Sequence, residues 1–154
     1  MLCNSLVASL YSWLKFLHLL GLAAFLVSHG VTAGASLAMR GPVSQASRGL
    51  LRLSLLSGAV AFPSLGLLIG TGVWMAFASR LWGKGWVWAS IAVLVALVMA
   101  MGFIANGYRA ARDAAKESDA VLSERLGRTR PILAVWIGSA GLLALLYLMV
   151  FKPF

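Results

Sequence analysis

Four long apolar runs constrain this chain more than any other feature. A helix needs roughly 20 consecutive apolar residues to cross the hydrocarbon core of a bilayer. Residues 12–37, 53–77, 86–106 and 132–151 each meet that requirement. Apolar residues make up 61% of the chain and charged ones only 11%. A soluble domain usually carries about 25% charged residues, so lipid must cover the surplus apolar surface. No run alternates as a barrel strand does. The sequence therefore predicts one all-α domain, an integral membrane four-helix bundle. Residues 107–130 form a cytoplasmic loop of helical character, into which helix 3 should project.

Helix 1 also has features of a signal peptide: Lys15, an apolar stretch, and small residues at Ala33-Gly34-Ala35. Its apolar stretch lies far from Met1, and it has a histidine in its middle. We read it as a retained span. Pro63 removes a backbone donor inside helix 2 and predicts a kink. Pro131 suits the first position of helix 4. Trp82, Trp86 and Trp88 cluster at the helix 2–3 turn, as in an interfacial aromatic belt, and Tyr11 and Trp13 match them on helix 1.

The net charge of +9 does not point to nucleic acid, because the basic residues sit between the apolar runs. Arg40, Arg48 and Arg52 lie in the first loop; Arg109, Arg112, Lys116, Arg125, Arg128 and Arg130 lie in the third. Only Lys15, Arg80, Lys84 and Lys152 lie on the other side, nine against four. The positive-inside rule puts both basic loops in the cytoplasm and both termini outside. The expected location is the bacterial cytoplasmic (inner) membrane, crossed several times. The basic loop could also dock an acidic partner. Arg109 and Asp113, Arg112 and Lys116, and Asp113 and Glu117 stand at helical turn spacing there.

Small residues should hold the helices together, since lipid leaves no hydrophobic drive between them. Candidates are Gly58, Gly66 and Gly70 on helix 2, with Gly66/Gly70 also a possible dimerisation pair. Ala92, Ala96 and Ala100 on helix 3, and Ala134, Gly138 and Gly141 on helix 4, complete the set.

All four acids, Asp113, Glu117, Asp119 and Glu124, fall in the third loop, so no carboxylate lies within a span. Proton-coupled pumps usually need one there. No nucleophile–base set and no phosphate-binding loop appears, and the protein is not expected to be an enzyme on its own. Cys3 is the one cysteine, which excludes an internal disulfide and a multi-cysteine metal site.

What remains are His18 and His29. Eleven residues apart, they fall within about 20° on the helix and differ in depth by roughly 16 Å. Gly21, Phe25 and Ser28 lie between them on the same face, which continues through Thr32 and Ser36. Intramembrane ionisable residues face the protein interior and mark functional sites by default. Imidazole is a standard axial ligand of haem, and Gly21, a turn from His18, would let a porphyrin approach. His18 and His29 as haem b ligands would need second ligands. A two-fold homodimer could supply them, as could Met75, Met99, Met101 or Met149. The expected role is membrane electron transfer, alone or as a subunit of a redox complex. Two alternatives stand beside it. One is a copper-handling membrane protein using His and Met as metal ligands. The other is a cofactor-free accessory subunit whose histidines join helices by hydrogen bonds. Asn106 near the end of helix 3 should cap the span or bond across helices.

The segment Leu14-Lys15-Phe16-Leu17-His18-Leu19-Leu20-Gly21 and the later Leu65-Gly66-Leu67-Leu68-Ile69-Gly70-Thr71-Gly72 resemble a bacterial family. It comprises small four-helix integral membrane proteins related to the copper-resistance protein D family. The resemblance implies a four-helix membrane fold over most of the chain. It covers His18 and Gly21, and His29 lies outside its motif.

Overall fold

The computed structural model describes residues 2–40, 43–114, 116 and 118–154; for residues 2–8 and 114 it describes the backbone only. Cys3 and Glu117 are thus outside the described side chains. The described chain is all helix and turn. α1 spans Leu2–Ala38, α2 Gln45–Ala78, α3 Gly85–Ala114, α4 Asp119–Gly127 and α5 Pro131–Phe151. Four of these, α1, α2, α3 and α5, are long and apolar enough to cross a membrane. An even number of spans puts both termini on one side and both basic loops on the other.

The spans run further than their apolar cores. Ser44 caps α2 through a reciprocal pair of hydrogen bonds with Ser47, so the helix begins at Gln45, well before the apolar run. α2 continues through Pro63. Pro131 opens α5 as expected, at a position where a missing N–H leaves no carbonyl unpaired. The loop expected over 107–130 is helical but not one extension of helix 3. α3 ends at Ala114, Ser118 caps α4 by accepting from the Val121 N–H, and α4 packs back on α3.

The bundle is two antiparallel pairs. α1 packs along α2, α3 packs along α5, and α1 touches α5 where the pairs meet. α2 and α3 are consecutive but do not pack along their lengths. The exposed apolar side chains, Phe62, Phe103 and Trp136 among them, form the belt that lipid must cover. At the basic end, Leu122 and Leu126 of α4 bury against Met39, Leu51 and Ala111. Arg48 pairs with Asp119 at 2.6 Å over the same cluster. At the opposite end Trp82 packs on Phe77 and Trp88, the Trp88 indole donates to the Trp82 carbonyl at 2.9 Å, and Lys152 lies over Trp86.

The small residues that make the contacts differ from those expected. A Cβ at Gly58, Gly66 or Gly70 would meet nothing within 4 Å, so these glycines do not serve packing within the chain. Ala92 and Ala96 are likewise exposed. Gly141 does pack, receiving the Leu97 side chain of α3, and Ala134 and Gly138 are buried. Asn106 is exposed rather than buried. Of the loop pairings, Asp113 takes Lys116 at 3.1 Å, and Arg128 takes Glu124 at 2.7 Å.

Candidate functional site: the histidine face of helix 1

The α1–α2 seam has a seven-residue period. Gly21, Ser28 and Ala35 are buried on α1, and Ser57, Ser64 and Thr71 on α2. A period of seven keeps one stripe of each helix facing its partner, and small residues there let the backbones approach. The Ser57 hydroxyl donates to the Ser28 carbonyl at 2.6 Å. Ser64 instead bonds its own helix at Val60, satisfying its hydroxyl at the seam. A Cβ at Gly21 would come within 3.3 Å of Leu68 and of the Ser64 carbonyl.

His18 sits at the end of this seam. Its Nδ1 lies 3.1 Å from the Leu68 carbonyl and 3.0 Å from the Thr71 hydroxyl. A carbonyl can only accept, and the Thr71 hydroxyl proton is already directed to the Leu67 carbonyl at 2.6 Å. Nδ1 is therefore the donor, and Nε2 keeps its lone pair. The Nδ1–Cε1 edge of the ring lies against Gly72, where a Cβ would be 3.3 Å from Cε1. Nε2 is on the far edge of a half-buried ring.

His29 faces another helix. It stacks on Phe25 with ring centroids 6.1 Å apart, and its Nε2 points at Gly138 of α5. A Cβ at Gly138 would lie 2.5 Å from Nε2, so the imidazole occupies the notch that the glycine leaves. Nε2 is buried and has no hydrogen-bond partner among the described residues. The two histidines share a face of α1 but are not brought together: His18 engages α2 and His29 engages α5. Phe25 lies between them, and Thr32 is half-buried further along.

The fit to a haem differs at the two positions. At His18 the donor set suits an axial ligand, because a ligating histidine commonly gives its other N–H to a carbonyl. At His29 the ligating nitrogen abuts the α5 backbone, with no room for a porphyrin between them. Among the described residues no three His, Cys, Asp or Glu side chains converge. Of the α2 seam residues, Thr71 is singled out from sequence only within the resembling motif, and Ser57 and Ser64 not at all. Their spacing of seven was the signal that could have found them.

The architecture defines a small multi-pass, all-α membrane protein. No family model, no curated protein and no solved structure matches the chain.

Proposed function

We propose that this protein is a small b-type haem protein of the bacterial cytoplasmic membrane, in which His18 is the axial ligand. What supports this reading is the Nδ1 bond to the Leu68 carbonyl, which orients the ring and leaves Nε2 free to coordinate. Gly72 keeps a side chain away from the His18 ring on the facing helix. A haem there would supply a one-electron couple for electron transfer, by the chain alone or within a redox complex. The resemblance to relatives of the copper-resistance protein D family points to the same His18 and Gly21. The second axial ligand would come from His18 of a second copy in a homodimer, or from a methionine. Met75 lies on the Thr71 face of α2, one turn further on. Copper(I) at His18 with Met75 is the metal variant of this reading.

The test is an absorption spectrum of the detergent-purified protein, oxidised and then dithionite-reduced, from cells supplied with haem precursor. A Soret band with sharpened α and β bands on reduction is expected, and His18→Ala should remove it. A haem-to-chain ratio of one half would mark a haem shared between copies. A flat spectrum from folded, metal-free protein would refute the haem and copper readings. It would favour the accessory-subunit reading, which the seating of His29 against Gly138 supports.

A further inference from the structure

A cavity of about 540 Å³ opens at the basic end of the bundle, between the end of α1 and the α4–α5 turn. Ser36 and Arg40 line it from α1, Thr129 and Arg130 from the turn, and Pro131 and Trp136 from α5. Among the described residues no acidic side chain lines it. The described acids of this end are engaged elsewhere: Asp119 with Arg48, Asp113 with Lys116, and Glu124 with Arg128. Arg40 and Arg130 have no ion-pair partner among the described residues. Both hydroxyls in the wall are turned to their own backbone, Ser36 to Ala33 and Thr129 to Leu126. Among the described residues, the charge in the cavity is therefore that of two guanidiniums without a carboxylate partner.

The position of the cavity decides what it takes. α1 leaves the apolar zone at Ala38 and α5 enters it at Pro131, so the arginines stand at the level where lipid headgroups lie. The wall then continues without a break onto apolar surface. Ile132 and Leu133 are nearly half-exposed, and Trp136, one turn deeper on α5, is 71% exposed. A free anion would use only the charged end of such a site. A phospholipid would use both, its phosphodiester between the arginines and an acyl chain along Trp136. Arginine forks match phosphate oxygens in pairs. Basic pockets between membrane helices on the cytoplasmic side are suited to anionic headgroups.

We infer that this cavity is a binding site for one anionic phospholipid, clamped at its phosphate by Arg40 and Arg130. The inference is independent of any cofactor at His18 and needs only the membrane placement of the four spans.

The experiment titrates delipidated full-length protein in neutral detergent with phosphatidylglycerol, phosphatidylcholine or inorganic phosphate, reading Tm. Phosphatidylglycerol should raise Tm saturably, and the other two should not. Arg40→Gln/Arg130→Gln should weaken that response about twenty-five-fold, taking each arginine near a membrane surface as worth about fivefold. Arg52→Gln/Arg109→Gln removes the same charge outside the cavity and should leave the response intact. A second readout does not need the double variant to fold. Equimolar phosphatidylglycerol with brominated chains should quench tryptophan fluorescence more than its phosphatidylcholine counterpart, and Trp136→Phe should abolish the difference. An equal effect of phosphatidylcholine would overturn the site as anion-selective. An equal effect of inorganic phosphate would overturn the lipid as occupant. An equal loss in the Arg52/Arg109 variant would reduce the response to general surface charge and overturn the site.

Discussion

Gly138→Ala tests a place where α1 of one helix pair interlocks with α5 of the other. The added methyl would stand 2.5 Å from His29 Nε2 and 2.6 Å from Cε1. Comfortable separations between such atoms are about 3.5–4.0 Å, so the imidazole or helix α5 must move by about 1 Å. The imidazole is not free to swing, because it stacks on Phe25 with the rings only 13° from parallel. Overpacking of this kind costs about 1–3 kcal/mol. Removing the ring removes the conflict. In a His29→Ala background the methyl enters vacated space, and alanine suits a helix interior better than glycine by about 0.5–1 kcal/mol. Gly138→Ala should therefore destabilise the wild type by about 1–3 kcal/mol and the His29→Ala protein not at all. The assay is reversible unfolding in mixed micelles, with increasing sodium dodecyl sulfate and helical circular dichroism as the signal, for all four members of the cycle. Equal effects of Gly138→Ala in both backgrounds would show that His29 does not occupy the notch.

Other substitutions probe the seam and the basic end. Ser57→Ala deletes the 2.6 Å bond to the Ser28 carbonyl and should destabilise the α1–α2 pair by about 0.6 kcal/mol, at most about 1.7, in the same micelle titration. Gly66→Ala, with open space around its Cβ, should be neutral or slightly stabilising there; a loss above about 1 kcal/mol would mean that a second chain packs on that glycine. Leu122 is fully buried in the cluster under α4, so Leu122→Ala should cost that cluster about 2–5 kcal/mol and speed tryptic cleavage at Arg125 and Arg128. Unchanged cleavage rates would show that α4 is not held by this packing.

The spans were legible because their signal is intrinsic to each segment: every backbone group in lipid is satisfied within its own helix, and the outward side chains must be apolar. The contacts between spans were not, because in lipid small residues are needed at some interfaces and merely tolerated elsewhere. Gly66 and Gly70 show a well-known spacing, yet a Cβ at either would meet nothing within 4 Å among the described residues, whereas Gly72 and Gly138 receive the two histidines. The reach of α2 back to Gln45 depended on Ser44 and Ser47, a serine pair outside the apolar run. The break between α3 and α4 follows from Ser118, whose cap starts a new helix where turn spacing alone read as continuous. At the candidate site, the sequence placed His18 and His29 on one face, and periodicity could go no further. Their partners lie on α2 and α5, and only the tertiary register sets them.

That register gives α1 a particular position. It is the one span packed against both α2 and α5, and its two histidines take part in these contacts, one in each: His18 bonds at Leu68 and Thr71, and His29 seats against Gly138. The contacts are unequal in kind. His18 is tied by directed hydrogen bonds whose donor and acceptors are matched, so its ring is held in one orientation. His29 is held by shape, and its buried Nε2 has no hydrogen-bond partner among the described residues. An unpaired buried polar atom costs roughly 1–3 kcal/mol, which offsets part of the packing gained in the notch. The α1–α2 pair is thus joined by hydrogen bonds at Ser57 and His18 along a small-residue seam. The junction to α5 is the smaller of the two contacts and includes the unpaired His29 nitrogen at Gly138. Of the two helix–helix contacts made by α1, the one at Gly138 should separate first when the bundle is loosened. Hydrogen exchange under increasing denaturing detergent should accordingly protect the amides around Ser28 and Ser57 longer than those around Gly138.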